Sequence, residues 1–222
     1  MLSLILAESA LELVPKELQN HNSVISHSKK LGKKPSEIIL DNSWHFGAMK
    51  GISNEIKRGR PDLVHFSLLE VTSIPLYFEK KIKIYVHTID DKVIFIGDNV
   101  RLPKSYHRFI GLIEKLFSEK IVKADGKKLL EIKDMTFNQL LQEIKPKRII
   151  GLSSKGIPSS CENVAQKLSA DSCVVIGGFP KGQFSNEIKK RFEYTVNVGL
   201  TSLEAHVVIS RVLYEYEKTI FM

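Results

Sequence analysis

Short apolar runs recur along the chain, alternating with stretches whose apolar positions fall three and four residues apart. Runs at 2–7, 63–69, 82–87, 93–96, 129–132, 148–152, 172–176 and 194–198 predict strands. Asp90-Asp91, between two of them, predicts a hairpin turn. Helical spacing predicts helices over 44–57, 106–118, 136–144, 160–168 and 202–217. In the last of these, Leu203, Val207, Ser210, Leu213 and Tyr214 share one face, and Thr201 or Ser202 stands at the N-cap. From residue 148 onward, strands and helices alternate, which is the pattern of a parallel sheet with covering helices. No internal repeat, low-complexity stretch or linker breaks the chain. One α/β domain over residues 1–222 is expected, with the hairpin around 70–105 as an insertion.

Composition narrows the class without naming an activity. Of 222 residues, 43% are hydrophobic and 26% charged, an ordinary globular mixture rather than that of a disordered or fibrous chain. No run approaches the ~18–20 apolar residues of a membrane span. Met1-Leu2-Ser3-Leu4-Ile5-Leu6-Ala7-Glu8 carries no basic leader, so a first strand and a cytoplasmic location with no membrane contact are expected. Cys161 and Cys173 lack the short-spaced pairs of a zinc site, no metal is expected, and neither thiol has a histidine marked as its helper.

Charge changes the picture more. The excess of 33 Lys+Arg over 25 Asp+Glu leaves a net +8, and it is uneven. Lys29, Lys30, Lys33 and Lys34 form one cluster; Lys50, Lys57, Arg58 and Arg60 form a second. Between Arg101 and Lys133, nine basic residues face four acidic ones. Such clustering suits a phosphate-backbone partner, although a solvated lysine-rich surface has the same composition.

Three glycine loops follow the late strands, where open α/β sheets bind ligands: 151–156, 177–182 and 198–201. Gly177 and Gly182 stand at P-loop spacing, but Gln183-Phe184 replace the Lys-[Ser/Thr] that phosphate and magnesium require. No G-x-G-x-x-G follows an early strand, so a dinucleotide fingerprint is missing as well. Taken singly, each loop is a tight turn in which glycine supplies positive φ.

Two segments are more specific. One is Arg60-Pro61-Asp62-Leu63-Val64-His65-Phe66-Ser67-Leu68-Leu69, preceded by Leu40-Asp41-Asn42-Ser43-Trp44-His45-Phe46-Gly47-Ala48-Met49. The other is Arg101-Leu102-Pro103-Lys104-Ser105-Tyr106-His107-Arg108-Phe109-Ile110-Gly111-Leu112. With Ile176-Gly177-Gly178 and Leu203-Glu204-Ala205, the chain resembles, over nearly its whole length, the N1-specific pseudouridine methyltransferases of ribosome biogenesis, a SPOUT-superfamily family. Its length without extensions is similar to that of the archaeal members.

The resemblance implies a SPOUT-type α/β fold with a C-terminal deep trefoil knot, the knot and cofactor region falling at about 147–222. It implies S-adenosyl-L-methionine as methyl donor, N1 of a pseudouridine in small-subunit ribosomal RNA as acceptor, and a homodimer. Small-subunit ribosomal proteins are further candidate partners. The cofactor positions it implies are Leu152, Gly177, Gly178, Gly182, Val196, Asn197, Val198, Gly199, Leu200 and Leu203. Two other readings share the scaffold: an RNA-binding assembly factor with little catalysis, and a SPOUT enzyme acting on transfer RNA.

Pseudouridine has a free N1–H, so methylation there needs placement and anion support rather than an enzyme thiol. Arg60, always charged and with a planar donor fork, is the candidate for the target nucleotide. Asp62, two positions on, would share its face in an extended segment. It is either the general base or the residue that orients Arg60; the second is favoured, because a carboxylate beside arginine is a weaker base. Arg101, Lys104, His107 and Arg108, with Tyr106 interleaved, are candidates to grip RNA. Buried hydrogen-bonded roles are expected for His45 and His65, packing for Phe109, and helix anchoring for Trp44.

Overall fold

The computed structural model describes all 222 residues. Its elements run β1 (Leu2–Ser9), α1 (Asn22–Leu31), α2 (Asn42–Met49), α3 (Pro61–Val71), α4 (Pro75–Phe78), β2 (Ile82–Thr88), β3 (Lys92–Ile96) and α5 (Tyr106–Glu119). They continue with β4 (Ile121–Ala124), β5 (Lys127–Asp134), α6 (Phe137–Ile144), β6 (Arg148–Pro158), α7 (Cys161–Gln166), β7 (Ser172–Gly177), α8 (Asn186–Lys189), β8 (Tyr194–Asn197) and α9 (Ala205–Phe221).

One eight-stranded sheet orders these strands β4-β5-β3-β2-β1-β7-β6-β8. Five neighbours, from β2 to β8, are mutually parallel. The sheet is mixed rather than parallel throughout, because β3, β5 and β4 join it antiparallel. The reason is connection length: the tight turn after Thr88, with Asp91 at φ 54, leaves no room for a crossover. β1 is central and wholly buried, and its side chains divide by parity. Leu2, Leu4 and Leu6 join the larger core under α3, α5 and α9, while Ile5 and Ala7 join the smaller one under α6 and α8. A third cluster, including Val24, Ile38 and Met49, holds α1 and α2 together. No helix is long and apolar enough to cross a membrane.

Three predicted elements differ. Residues 63–69 are not a strand but the body of α3, which starts with Pro61 in its first turn. A short unbroken apolar run fits either structure, and Pro61 favours the helix. The helix predicted over 44–57 ends at Met49, and a 3₁₀ turn at Glu55–Lys57 follows. α9 begins at Ala205, so Thr201, Ser202 and Leu203 stand outside it. Its buried face is Ile209, Val212, Leu213 and Tyr216, whereas Tyr214 is 53% exposed. α1 escapes the pattern because it buries only Val24 and Ser28. Both thiols are unpaired.

β6 is unusual in pairing with β8 twice, through Leu152↔Val196 and again through Ile157↔Val196. The intervening chain crosses β8 so closely that a Cβ on Gly156 would lie 2.5 Å from the Val196 backbone. Only glycine fits there.

Candidate active site

Beside the middle of β6, where residues 151–156 prove to be strand rather than loop, and beyond the carboxyl ends of β7 and β8, two loops and the start of α9 enclose an open cleft of about 430 Å³. Of the expected cofactor residues, Leu152, Gly177, Gly182, Val196, Asn197, Val198, Gly199 and Leu203 line it. Gly178 and Leu200 do not. Gly178 extends the sheet instead, donating to the Ala7 carbonyl and accepting from Ala10 N–H, with Ser9 Oγ where a Cβ would be. Leu200 is fully exposed. The lining mixes apolar walls with short polar groups, and its charged members are Arg60, Lys181 and Glu204.

Arg60 is the N-cap residue of α3, and Asp62 occupies the first turn. Arg60 Nε donates to Asp62 Oδ1 and Nη2 to Oδ2, each at 2.8 Å. The two meet across a helix start, not along an extended segment. The hydrogen bonds to Asp62 raise the guanidinium pKa, and the charges of Asp62, Glu204 and Asp41 add to that shift. The pair is about one-third exposed, which leaves Arg60 accessible at the cleft.

The second motif is tied to the first. Asp41 caps α2 by accepting from Ser43 N–H at 2.8 Å, and Tyr106 at the start of α5 donates its hydroxyl to the same carboxylate. Asn42 N–H in turn donates to the carbonyl of Gly59, next to Arg60. His65 Nε2 donates to the Pro103 carbonyl at 2.8 Å, and its ring stacks on buried Phe109. Arg101, Lys104, His107 and Arg108 are all exposed along this strap. Tyr106 is not: its ring is half-buried, and burial together with the Asp41 bond raises its pKa. It braces the strap rather than offering a free stacking face.

His45 is fully buried. Asp41 N–H donates to its Nδ1, so its Nε2 carries the proton and donates to His27 Nδ1 at 3.0 Å. Burial, then His27, lowers the His45 pKa to about 4. Both His45 and His65 thus hold the buried, hydrogen-bonded places expected of them. Trp44 is 43% exposed and stacks on His27 at 4.5 Å, anchoring α2 to α1. His206 lies beside Phe66 on a shallower depression of α3 and α9.

Comparison with known proteins fits this geometry. A family described as "EMG1/NEP1 methyltransferase" matches residues 4–217. The chain belongs to the EMG1/NEP1 methyltransferase family. It is 39% identical over 219 residues to the "Ribosomal RNA small subunit methyltransferase Nep1" of Thermococcus sibiricus, covering 98% of each chain. The Staphylothermus marinus protein of the same description is 41% identical, over 96% of this chain and 93% of that one. A crystal structure of Archaeoglobus fulgidus Nep1 bound to S-adenosylhomocysteine superposes with a TM-score of 0.87 at 35% identity, covering 97% of both chains.

Several groups of the cleft in this EMG1/NEP1 family member carry no local signal in the sequence. Ser153, Thr201, Ser202 and Glu204 line the cleft, yet polar loop residues of this kind are indistinguishable from ordinary turns. Asp41 belongs to the Leu40–Met49 motif, but its bond to Tyr106 spans 65 residues. Two buried ion pairs were also missed. Arg58 grips Glu12 through Nε at 2.7 Å and Nη2 at 2.6 Å, and Lys57 meets Glu8 at 2.8 Å. In the sequence only their basic members stand out, as part of the cluster Lys50, Lys57, Arg58 and Arg60.

Proposed function

We propose that this protein methylates N1 of a pseudouridine in small-subunit ribosomal RNA, with S-adenosylmethionine as donor. The observation that carries the reading is the Arg60–Asp62 pair at the mouth of a cleft built from β6 and the loops after β7 and β8. Family membership and the printed activity of the relatives support it. So does the neighbour's ligand, S-adenosylhomocysteine, which is what the donor becomes after losing its methyl group.

The residues present fit the donor. A volume of about 430 Å³ lies in the ~300–1,000 Å³ range of small-molecule sites. Leu152, Val196 and Leu203 offer apolar walls to a nucleoside, and the loops bring backbone groups and Asn197 for its polar edges. When bound, the cofactor supplies a methyl group on a positively charged sulfur. Everything else falls to the chain. Arg60 keeps its Nη1 edge outside the Asp62 pair, free to meet a base carbonyl or phosphate and to support the charge that grows as N1–H is lost. Asp62 has both oxygens committed, so it orients Arg60. Arg101, Lys104, His107 and Arg108 hold RNA phosphates.

The same reading includes a homodimer and a trefoil knot. The crossing of β8 by residues 153–156 supports the knot. Exposed Phe66, Leu200 and Tyr214 support a second copy packing against α3, the cleft rim and α9. The test is calorimetric titration with S-adenosylmethionine, then methyl transfer to a pseudouridine stem-loop and its uridine twin. Uptake with transfer to the pseudouridine RNA alone is expected; RNA binding without cofactor uptake would overturn the reading.

A further inference from the structure

Glu8, next to last in β1, holds a conformation few carboxylates adopt. Its φ is +50, and the pairing of β1 with β2 shifts register between Leu6 and Ser9. Its N–H donates to His87 Nδ1, which leaves His87 Nε2 to donate to Asp91 at 3.0 Å. The irregularity breaks the strand's alternation and delivers the Glu8 carboxylate to the outer wall of the cleft. There it accepts two bonds: one from Lys57 Nζ at 2.8 Å and one from the backbone N–H of Ser185, 3.2 Å from each oxygen. Both side chains are only 12% exposed.

Lys57 has two further contacts on the same wall. Its ammonium lies 4.7 Å from the centre of the Phe179 ring, and its stem packs beside Gly182, whose φ is +104. The ion pair therefore holds the loop between β7 and α8 at its beginning, middle and end: Phe179, Gly182 and Ser185. That loop forms one side of the cleft, yet neither Glu8 nor Lys57 lines it. Lys57 also stands three residues before Arg60, with Arg58 locked on buried Glu12 between them. A buried ion pair stabilises little once desolvation is counted, and a non-glycine residue at positive φ costs more. Neither feature explains itself by stability.

We propose that Glu8 and Lys57 are positioning residues that brace the 179–185 wall of the cleft and thereby set its affinity for the methyl donor. This rests on the reading of the cleft as the donor site.

The test titrates S-adenosylhomocysteine and, separately, the RNA stem-loop into the wild-type protein and into K57M, K57R, E8Q/K57M and Val208→Trp. Amide exchange is followed in the same proteins. The double variant removes both charges, so an unpaired buried carboxylate does not confuse the result. K57M and E8Q/K57M are expected to weaken S-adenosylhomocysteine by about tenfold or more. They should speed exchange across 179–185, and leave RNA affinity and the protection of β1 and β7 unchanged; K57R should recover most of the lost affinity. Wild-type affinity in E8Q/K57M, or a loss matched by falling protection throughout the sheet, overturns the proposal. Val208→Trp fills the cleft and separates the two readings: if it binds like wild type, the ligand sits elsewhere and the cleft assignment itself fails.

Discussion

A carboxylate that gives both oxygens to one guanidinium fixes that guanidinium's plane and direction. In Asp62 both oxygens lie 2.8 Å from Arg60 donors, so Asp62→Asn should misplace Arg60 without removing the base. The expected result is a fall in kcat/KM of about ten- to a hundredfold, the scale of one lost charged hydrogen bond. The acid limb of the pH–rate profile should keep its shape; if that limb vanishes with the substitution, Asp62 is the base after all. Gly156 makes a different point, because there the missing side chain is the requirement. Gly156→Ala would press a methyl group against Val196 backbone, atoms that cannot rotate away. A loss of about 1–3 kcal/mol is expected from such overpacking, read from urea unfolding midpoints. An unchanged midpoint would mean that the crossing of β8 is looser than the distances show.

Among the elements, those rich in apolar residues were legible in the sequence and the more polar ones were not. Seven of the eight expected runs are strands, and the eighth, 63–69, is the body of α3 because apolar continuity does not separate buried helix from buried strand. α1 was hidden for the opposite reason, having too few apolar residues to show a face. The glycine loops at 177–182 and 198–201 were correctly placed at strand ends, whereas 151–156 is not a loop but lies within β6; and sequence could not tell Gly177, which lines the cleft, from Gly178, which packs on Ser9. Braces such as Asp41–Tyr106 and Glu8–Lys57 join elements far apart in the chain and leave no local trace. The His27–His45 bond between α1 and α2 is another, and it titrates. His45 has a folded pKa of about 4 against about 6.5 for an unperturbed histidine, so between those values the unfolded chain binds the extra proton. Stability is therefore fully present above about pH 6.5 and drains as pH falls toward 4, by at most about 3 kcal/mol. His27 and His87 are lowered too, also by burial, and push the same way. His45→Asn, which keeps an acceptor for Asp41 N–H, should flatten the fall in Tm across that window. An equally steep fall in the variant would assign the acid lability elsewhere.

At the scale of the whole molecule, the sheet separates two tasks. Its parallel half ends in the cleft, while the strap from Arg101 to Arg108 and the α2–α3 junction set a basic rim beside it. A net charge of +8 gives any polyanion a general attraction, but only charges that sit on phosphates release counterions when RNA binds. Arg101, Lys104 and Arg108 are exposed and form none of the protein's internal ion pairs, so binding RNA breaks nothing. If each meets one phosphate, the plot of log affinity against log salt should lose roughly 0.7 of slope per residue for a single-stranded contact. The triple variant R101A/K104A/R108A should then lower the slope by about 2 while its S-adenosylhomocysteine affinity and Tm stay at wild-type values. The control is a triple alanine variant at Lys123, Lys127 and Lys128, equally basic but on the β4–β5 hairpin at the opposite end of the sheet from β8. Equal slope losses from the two sets would reduce the strap to one part of a diffuse positive surface. A loss confined to the first set ties RNA to the strap beside Arg60, as the proposed arrival of the acceptor base there requires.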